Sequence, residues 1–302
     1  MAASRDLKLK DFTVGQFKAV LRNARISRGT GEWSGEVVKT ERPLSARSQQ
    51  MVWGLMRQVL EYARREKWLA ENPLAERNIG RPVVQRLVDP QTGLEADLNC
   101  WDDEQRRAFL ADARVQGDPD YAYYVTLANL GCRSGEGAGL LVSDLDFDSK
   151  DVSITKQLLV TERVLGALKN SKKRRGNGAR GFKMPSVVVE ALKVHLAKPR
   201  KVADPKYAPF VFLNEEGTPV FTRNINKRFQ AHAARLGLPV ITLHGLRHTC
   251  ATSWAGRGMD RSTLAYILGD NIETVDRYYT HVTASAVAKA AKLMEDERFS
   301  PS

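Results

Sequence analysis

HGLRHTCATSWAGRGMDRSTLAYILGDNIETVDRYYTH, residues 244–281, sets a histidine and an arginine three positions apart, His244 and Arg247. On a helix that spacing places both on one face. Further on, Tyr278 and Tyr279 stand side by side. These residues raise the question of whether they converge on one atom, which tyrosine reacts, and why Asp270 follows Leu268-Gly269.

Other groups able to hold a phosphate lie upstream. Arg133 stands in GCRSGE at a helix start, where backbone N–H groups also favour anions. Lys169 lies in LKNSKK at a strand turn, with Lys172 and Lys173 as competitors. Arginine is a planar, two-pronged donor suited to non-bridging phosphate oxygens. Lysine or histidine can handle the protons of the attacking and leaving oxygens. A tyrosine hydroxyl becomes a usable nucleophile when cations lower its pKa. Arginines in that role make a metal unnecessary, and no carboxylate cluster for Mg²⁺ stands out. Singly, each feature has a plain explanation: a surface pair, a packing tyrosine, a solvated basic hairpin. Their order along the chain carries the weight.

Composition points the same way. The 302 residues suggest two domains, and 42% hydrophobic with 27% charged residues reads as a folded chain. Forty-seven Lys and Arg against 35 Asp and Glu leave +12. That balance concerns partners rather than fold, and a polyanion such as nucleic acid is the simplest one. The N-terminus, MAASRDLKLKDF, has no apolar signal-peptide core, and no apolar run is long enough to span a membrane. Cys100, Cys132 and Cys250 are scattered, without CxxC pairing. Isolated thiols fit small buried residues in a reducing cytoplasm, the expected location.

Residues 12–26 carry Phe12, Phe17, Val20 and Leu21 at a helical period. Residues 27–43, rich in glycine and charge, read as a loop. Val52, Leu55, Met56, Val59, Leu60 and Ala63 form one helical stripe, and Asn72-Pro73 stops the element that follows it. The first 90 residues thus read as all-helical, and residues 88–98 as a linker. A second unit opens at CWDDEQRR, where Asp102 or Asp103 can cap a helix. DPDYAYYVTLANLGCRSGEGAGLLVSDLDF reads as helix, glycine-rich break, helix. DVSITKQLLV through LGALK alternates and reads as strands, KNSKKRRGNGARG as a basic turn, FKMP as a short strand. SVVVEALKVHLAK is a helix, FVFLNEEGTPV a strand and turn, and the chain from Thr222 is mostly helical.

In this order the motifs resemble the tyrosine recombinases of the phage integrase and Xer type. The family's first arginine box, roughly T-G-x-R-x-x-E, is similar to L-G-C-R-S-G-E at residues 130–136, with Leu140, Asp144 and Phe147 following in place. The second box, H-x-L-R-H-T-x-A-T, is matched by HGLRHTCAT at residues 244–252. The last, L-G-H with a tyrosine nine residues on, is matched by LGDNIETVDRYYTHV, and that register selects Tyr279 over Tyr278. The strand-turn lysine corresponds best to Lys169. The likeness covers nearly all of residues 99–283 and extends more weakly to EYARREKWLAENPLAE.

The resemblance implies a mainly α protein with a small β-sheet: a SAM-like, helical core-binding domain over residues 1–92 and an α+β catalytic domain over 99–302 with a C-terminal helical tail. The two would close as a C-shaped clamp on duplex DNA. Arg133, Lys169, His244 and Arg247 would hold and activate the scissile phosphate, and Tyr279 would attack it to leave a 3′-phosphotyrosyl link. Glu136 would brace the first arginine. No cofactor or metal is implied. Partners would be double-stranded DNA at attachment sites, a homotetramer on that DNA, an accessory DNA-bending protein, and no membrane. The implied function is integration or excision of a phage or mobile element. The alternatives are a type IB topoisomerase-like enzyme and a DNA-binding protein with impaired catalysis. The tail, residues 283–299, carries Val287, Ala290, Ala291 and Met294 and suits docking on a neighbouring protomer or on its own domain. The helical domain starts so close to Met1 that no room is expected for a separate arm-binding domain ahead of it.

One position departs from the family. Asp270 replaces its third His or Trp, and an anion beside a phosphate is repelled. Asp270 is therefore expected to stay off the phosphate and to accept hydrogen bonds from backbone N–H groups or an arginine, fixing the turn after Gly269. The plain alternative is a solvent-exposed carboxylate.

Overall fold

The computed structural model describes residues 11–31, 37–75, 100–159, 164–169 and 178–279, with residues 26–31, 37–42 and 277–279 described by backbone alone. The chain separates into two compact units, Met1–Arg86 and Leu87–Ser302. The linker read at residues 88–98, the tail helix read at 283–299, and Lys172 and Lys173 lie outside the described residues.

In the first unit, Thr13 and Gln16 cap α1 (Val14–Asn23) reciprocally, each side chain accepting from the other's backbone N–H. Ser45 caps α2 (Ala46–Arg65) by accepting from Ser48 N–H. Between them the chain forms an antiparallel hairpin, β1 (Arg25–Gly31) and β2 (Val37–Pro43), in register from Arg25–Pro43 to Gly31–Val37. This corrects the expectation of a loop at 27–43 in an all-helical unit. Ile26, Thr30, Val37, Val38 and Thr40 favour extended backbone, and pairing every other backbone group outweighs the glycine cost.

Phe17, Leu21, Trp53, Leu60 and Leu74 form this unit's core. Of the α2 stripe, Leu60 and Ala63 are buried and Met56 partly so, but Val52, Leu55 and Val59 are exposed, as is Val20 of α1. Trp53 decides the face. Its ring packs 5.3 Å from that of Phe17, and burying the largest apolar side chain turns the smaller edge outward.

The second unit is built around α4 (Tyr121–Leu130). Apolar on nearly every side, α4 packs against α3 (Asp103–Val115), α6 (Ser186–Ala197) and α8 (Leu243–Gly256). Each fully buried leucine there contributes about 1.5–3 kcal/mol. Asp102 caps α3, accepting from Gln105 N–H at 2.8 Å. Trp101 ties the segment before α3 to α8 and the loop ahead of it: its backbone N–H donates to Thr249 Oγ1 at 2.9 Å and its indole N–H to the Pro239 carbonyl at 2.8 Å.

After α5 (Ser134–Ala138) come β3 (Leu145–Asp146), β4 (Asp151–Ile154), β5 (Gln157–Leu159), β6 (Val164–Gly166) and β7 (Arg180–Lys183). They form an antiparallel sheet, β3-β4-β7, and a hairpin, β5-β6. FVFLNEEGTPV, expected as a strand, makes only isolated bridges, Leu141–Phe210 and Leu213–Pro219. Phe210, Val211 and Phe212 are buried in succession, so the run has no alternating face to lay on a sheet. Helices α7 (Thr222–Arg235), α9 (Arg261–Leu268) and α10 (Ile272–Tyr279) complete the unit, and Ala251, Leu264, Ala265, Leu268 and Val275 pack α8, α9 and α10 together. The architecture is mainly α with small antiparallel sheets. Among the described residues, no helix is long and apolar enough to cross a membrane.

Candidate active site

The first arginine is placed by a glycine turn and a buried carboxylate. α4 ends at Gly131 in left-handed backbone, φ 62°. A Cβ there would stand 2.8 Å from Leu268 Cδ2, so conformation and space both demand glycine. The chain then enters α5 at Arg133. Glu136 reaches back to accept from the Arg133 backbone N–H and from Arg133 Nη1, each at 2.9 Å. Oε2, the oxygen that takes the backbone N–H, also accepts from Arg180 Nη2 at 2.7 Å. Burial alone would raise the Glu136 carboxyl, but the charge and hydrogen bond of Arg180, then the charge of Arg133, outweigh it and hold it below the usual glutamate range.

The second arginine comes from α8, capped by Thr242, which accepts from Gly245 N–H. Arg247 is 1% exposed, and its Nη1 donates to the Gly131 carbonyl at 2.7 Å. The second box is thereby bonded to the end of the helix that leads into the first.

Asp270 joins the two. α9 ends at Gly269, φ 63°, and the Asp270 N–H donates to the Ala265 carbonyl at 3.0 Å, the longer closure of a left-handed helix cap. A Cβ on Gly269 would lie 2.7 Å from Arg180 Nη1. From this fixed backbone Asp270 Oδ1 accepts from Arg133 Nη2 at 2.5 Å, and Oδ2 accepts from Arg247 Nη2. Arg133 Nη2 also donates to the Gly269 carbonyl at 3.1 Å. The outcome is a chain of alternating charge: Arg180, Glu136, Arg133, Asp270, Arg247. Asp270 accepts from two arginines where one was expected, and it is not a free surface carboxylate.

His244 lies at the rim, one turn before Arg247 on α8, its ring edge-to-face with His248 at 4.8 Å. Partial burial, then the charges of Arg247 and Arg133, lower its imidazolium below the ordinary value, with Asp270 opposing and Lys169 adding. Burial, His244 and Arg247 push His248 down to about 4. Lys169 is exposed in the turn after β6 and acts on the site through its field. α10 starts two residues after Asp270 and carries Tyr279 at its last turn. The side chains of Tyr278 and Tyr279 lie outside the described residues.

Two residues of this cluster escaped the sequence reading. By sequence Arg180 belongs to the solvated basic turn, yet it is 4% exposed and donates from Nε to the Ile267 carbonyl at 2.7 Å. Its one signal is a strand position two before Phe182, on the same face. His248 had a plainer one, four residues after His244 on the same helix face. Among the described residues, no group of three or more His, Cys, Asp or Glu is set to hold a metal.

The profile of the phage integrase family matches residues 102–286. A XerC-like tyrosine recombinase of Caldanaerobacter subterraneus is 26% identical over 78% of this chain and 62% of its own length. The transposase of transposon Tn916 of Enterococcus faecalis is 31% identical over 71% of this chain and 55% of its own length. The chain thus spans less than two thirds of either relative. In fold it is similar to the Tn1549 transposon integrase, solved in complex with a circular intermediate DNA, at a TM-score of 0.71 and 21% identity over 96% of this chain and 87% of that one. With a match across more than half its length, the chain belongs to the phage integrase family, the tyrosine recombinases.

Proposed function

We propose that this protein is a site-specific DNA recombinase that breaks and rejoins duplex DNA through a tyrosine and integrates or excises a mobile element. The observation that carries the reading is the convergence of Arg133 and Arg247 on a single carboxylate. Two guanidiniums from distant boxes make a site for one anion, and in the reaction that anion is the scissile phosphate.

The arginines bind the non-bridging oxygens and stabilise the charge that grows on them. His244, neutral near pH 7, accepts or donates a proton at the edge of the site. Tyr279 gives its proton to His244 and forms the oxygen–phosphorus bond as the bond to the 5′-oxygen breaks, and Lys169 protonates that leaving oxygen. The 3′-phosphotyrosyl bond conserves the energy of the broken link, so a 5′-hydroxyl from another strand reverses the step without a cofactor. Glu136 and Arg180 keep the first arginine in place. The N-terminal unit and the basic surface hold the duplex, and the reaction runs in a homotetramer in the cytoplasm, with an accessory DNA-bending protein where the sites require one.

The test is trapping of a covalent adduct on a nicked duplex carrying the target site. Tyr278→Phe should form it and Tyr279→Phe should not. An adduct with Tyr279→Phe would overturn the assignment of the nucleophile. Dependence of joining on two sites separates recombination from relaxation of a single duplex.

A further inference from the structure

Both oxygens of Asp270 are engaged, one on each arginine of the proposed phosphate site. A carboxylate and a phosphodiester present the same pattern to two guanidiniums, a single negative charge spread over two oxygens. The donors that Asp270 holds are therefore those a phosphate would take. Arg133 Nη2 carries two N–H groups, and the Gly269 carbonyl and Asp270 Oδ1 occupy both. A phosphate oxygen gains that nitrogen only by displacing an acceptor, and the Gly269 carbonyl sits on backbone held by its helix cap.

Charge argues the same way. Three arginines and two carboxylates, Arg180, Arg133, Arg247, Glu136 and Asp270, leave the cluster at +1. Glu136 is completely buried between two arginines, but the Asp270 side chain is 20% exposed. Asp270 is thus the one of the two anions with an open side to turn toward, and its side chain can rotate without disturbing its own N–H bond to the Ala265 carbonyl.

We propose that Asp270 is an internal stand-in for the DNA phosphate: it holds the two arginines together in the free protein, and DNA engages them by exchanging one anion for the other. This rests on the recombinase reading above. Asp270 is a positioning residue, acting through Arg133 and Arg247. It keeps two like charges preorganised without DNA, and it sets a threshold that only a well-placed phosphate crosses.

The test uses inorganic phosphate as the probe, titrated against the full chain with chloride balancing the ionic strength, and follows thermal unfolding. The wild type should gain little from phosphate over chloride. Asp270→Ala and the closer mimic Asp270→Asn should start less stable and bind phosphate about tenfold or more tighter than the wild type. Adding Arg247→Ala to either should abolish the gain. A purely structural aspartate would lower stability equally with and without phosphate, and that result overturns the proposal. A gain that survives loss of Arg247 does the same. Where neither variant folds, the wild type bound to its duplex decides: Asp270 still bridging both arginines beside a seated phosphate refutes the exchange, and Asp270 turned away supports it. The phosphate readout needs no cleavage. Absence of the covalent adduct sinks the recombinase reading, whereas absence of the phosphate gain sinks only the exchange.

Discussion

Arg180 and Glu136 face each other at 2.7 Å with side chains 2% and 0% exposed. The pair lies behind the two arginines that converge on Asp270, and it transmits the position of β7 and the end of α9 to Arg133. A buried pair of this kind is costly to break, because the survivor stays behind as an uncompensated charge.

Arg180→Ala should therefore destabilise the protein by about 3–5 kcal/mol. The Glu136 carboxyl is held below its ordinary value in the folded chain, so the stability it contributes is present above the unfolded glutamate value and is lost as pH falls through the folded one. Melting temperature against pH should lose part of its acid slope below about pH 4.5 in Glu136→Gln. An unchanged slope would mean the pair is not coupled to folding.

Arg133→Ala and Arg247→Ala should each slow strand cleavage by roughly a hundredfold or more, the scale of one lost preorganised donor. Duplex affinity should change far less, because the other basic residues of a +12 chain would still bind the backbone. Comparable losses in binding and in single-turnover cleavage would mark these arginines as general anchors.

His248 should titrate near 4 and His244 below the ordinary histidine value in the NMR spectrum of the folded protein. For both, the unfolded chain takes up protons first as pH falls. Stability should thus decline from the ordinary value of 6.5 downward to the folded one. His248→Gln should flatten that decline, and a steeper one would contradict the burial.

Gly269→Ala meets two obstacles, left-handed backbone at φ 63° and a Cβ that would stand 2.7 Å from Arg180 Nη1. The first alone costs about 1–2 kcal/mol. Chemical denaturation should show at least that loss, and cleavage should fall as well, since Asp270 and Arg180 both shift. Full activity at reduced stability would show that the turn is structural only.

Affinity for duplex DNA should fall with salt on a log–log slope of about six to ten, if that many phosphates are contacted. EDTA should leave cleavage unchanged. A flat salt response, or a strict requirement for Mg²⁺, would contradict arginine-based binding and chemistry.

Local signals were legible in the amino-acid sequence. Apolar period placed α1 and α2, and alternation placed β4 to β6, because those patterns follow from how side chains leave a helix or strand. Arg133, His244 and Arg247, which the fold gathers, were readable through their spacing and neighbours. Which apolar edge of α2 turned inward was not readable. Val52, Leu55 and Val59 are as hydrophobic as the residues inside, and the choice fell to the fit of Trp53 against Phe17.

The hairpin at residues 25–43 was hidden for a similar reason, since the partner for each strand's backbone groups lies in the other strand and not in local composition. Arg180 looked like one more cation in a basic turn until the sheet buried it against Glu136. Asp270 was visible as a departure, but its role depends on three segments meeting: the end of α4, the middle of α8 and the cap of α9. The sequence by itself determined which charges are present. Only the tertiary structure decided which of them face one another, because an ion pair across 137 residues exists only once the chain between has packed.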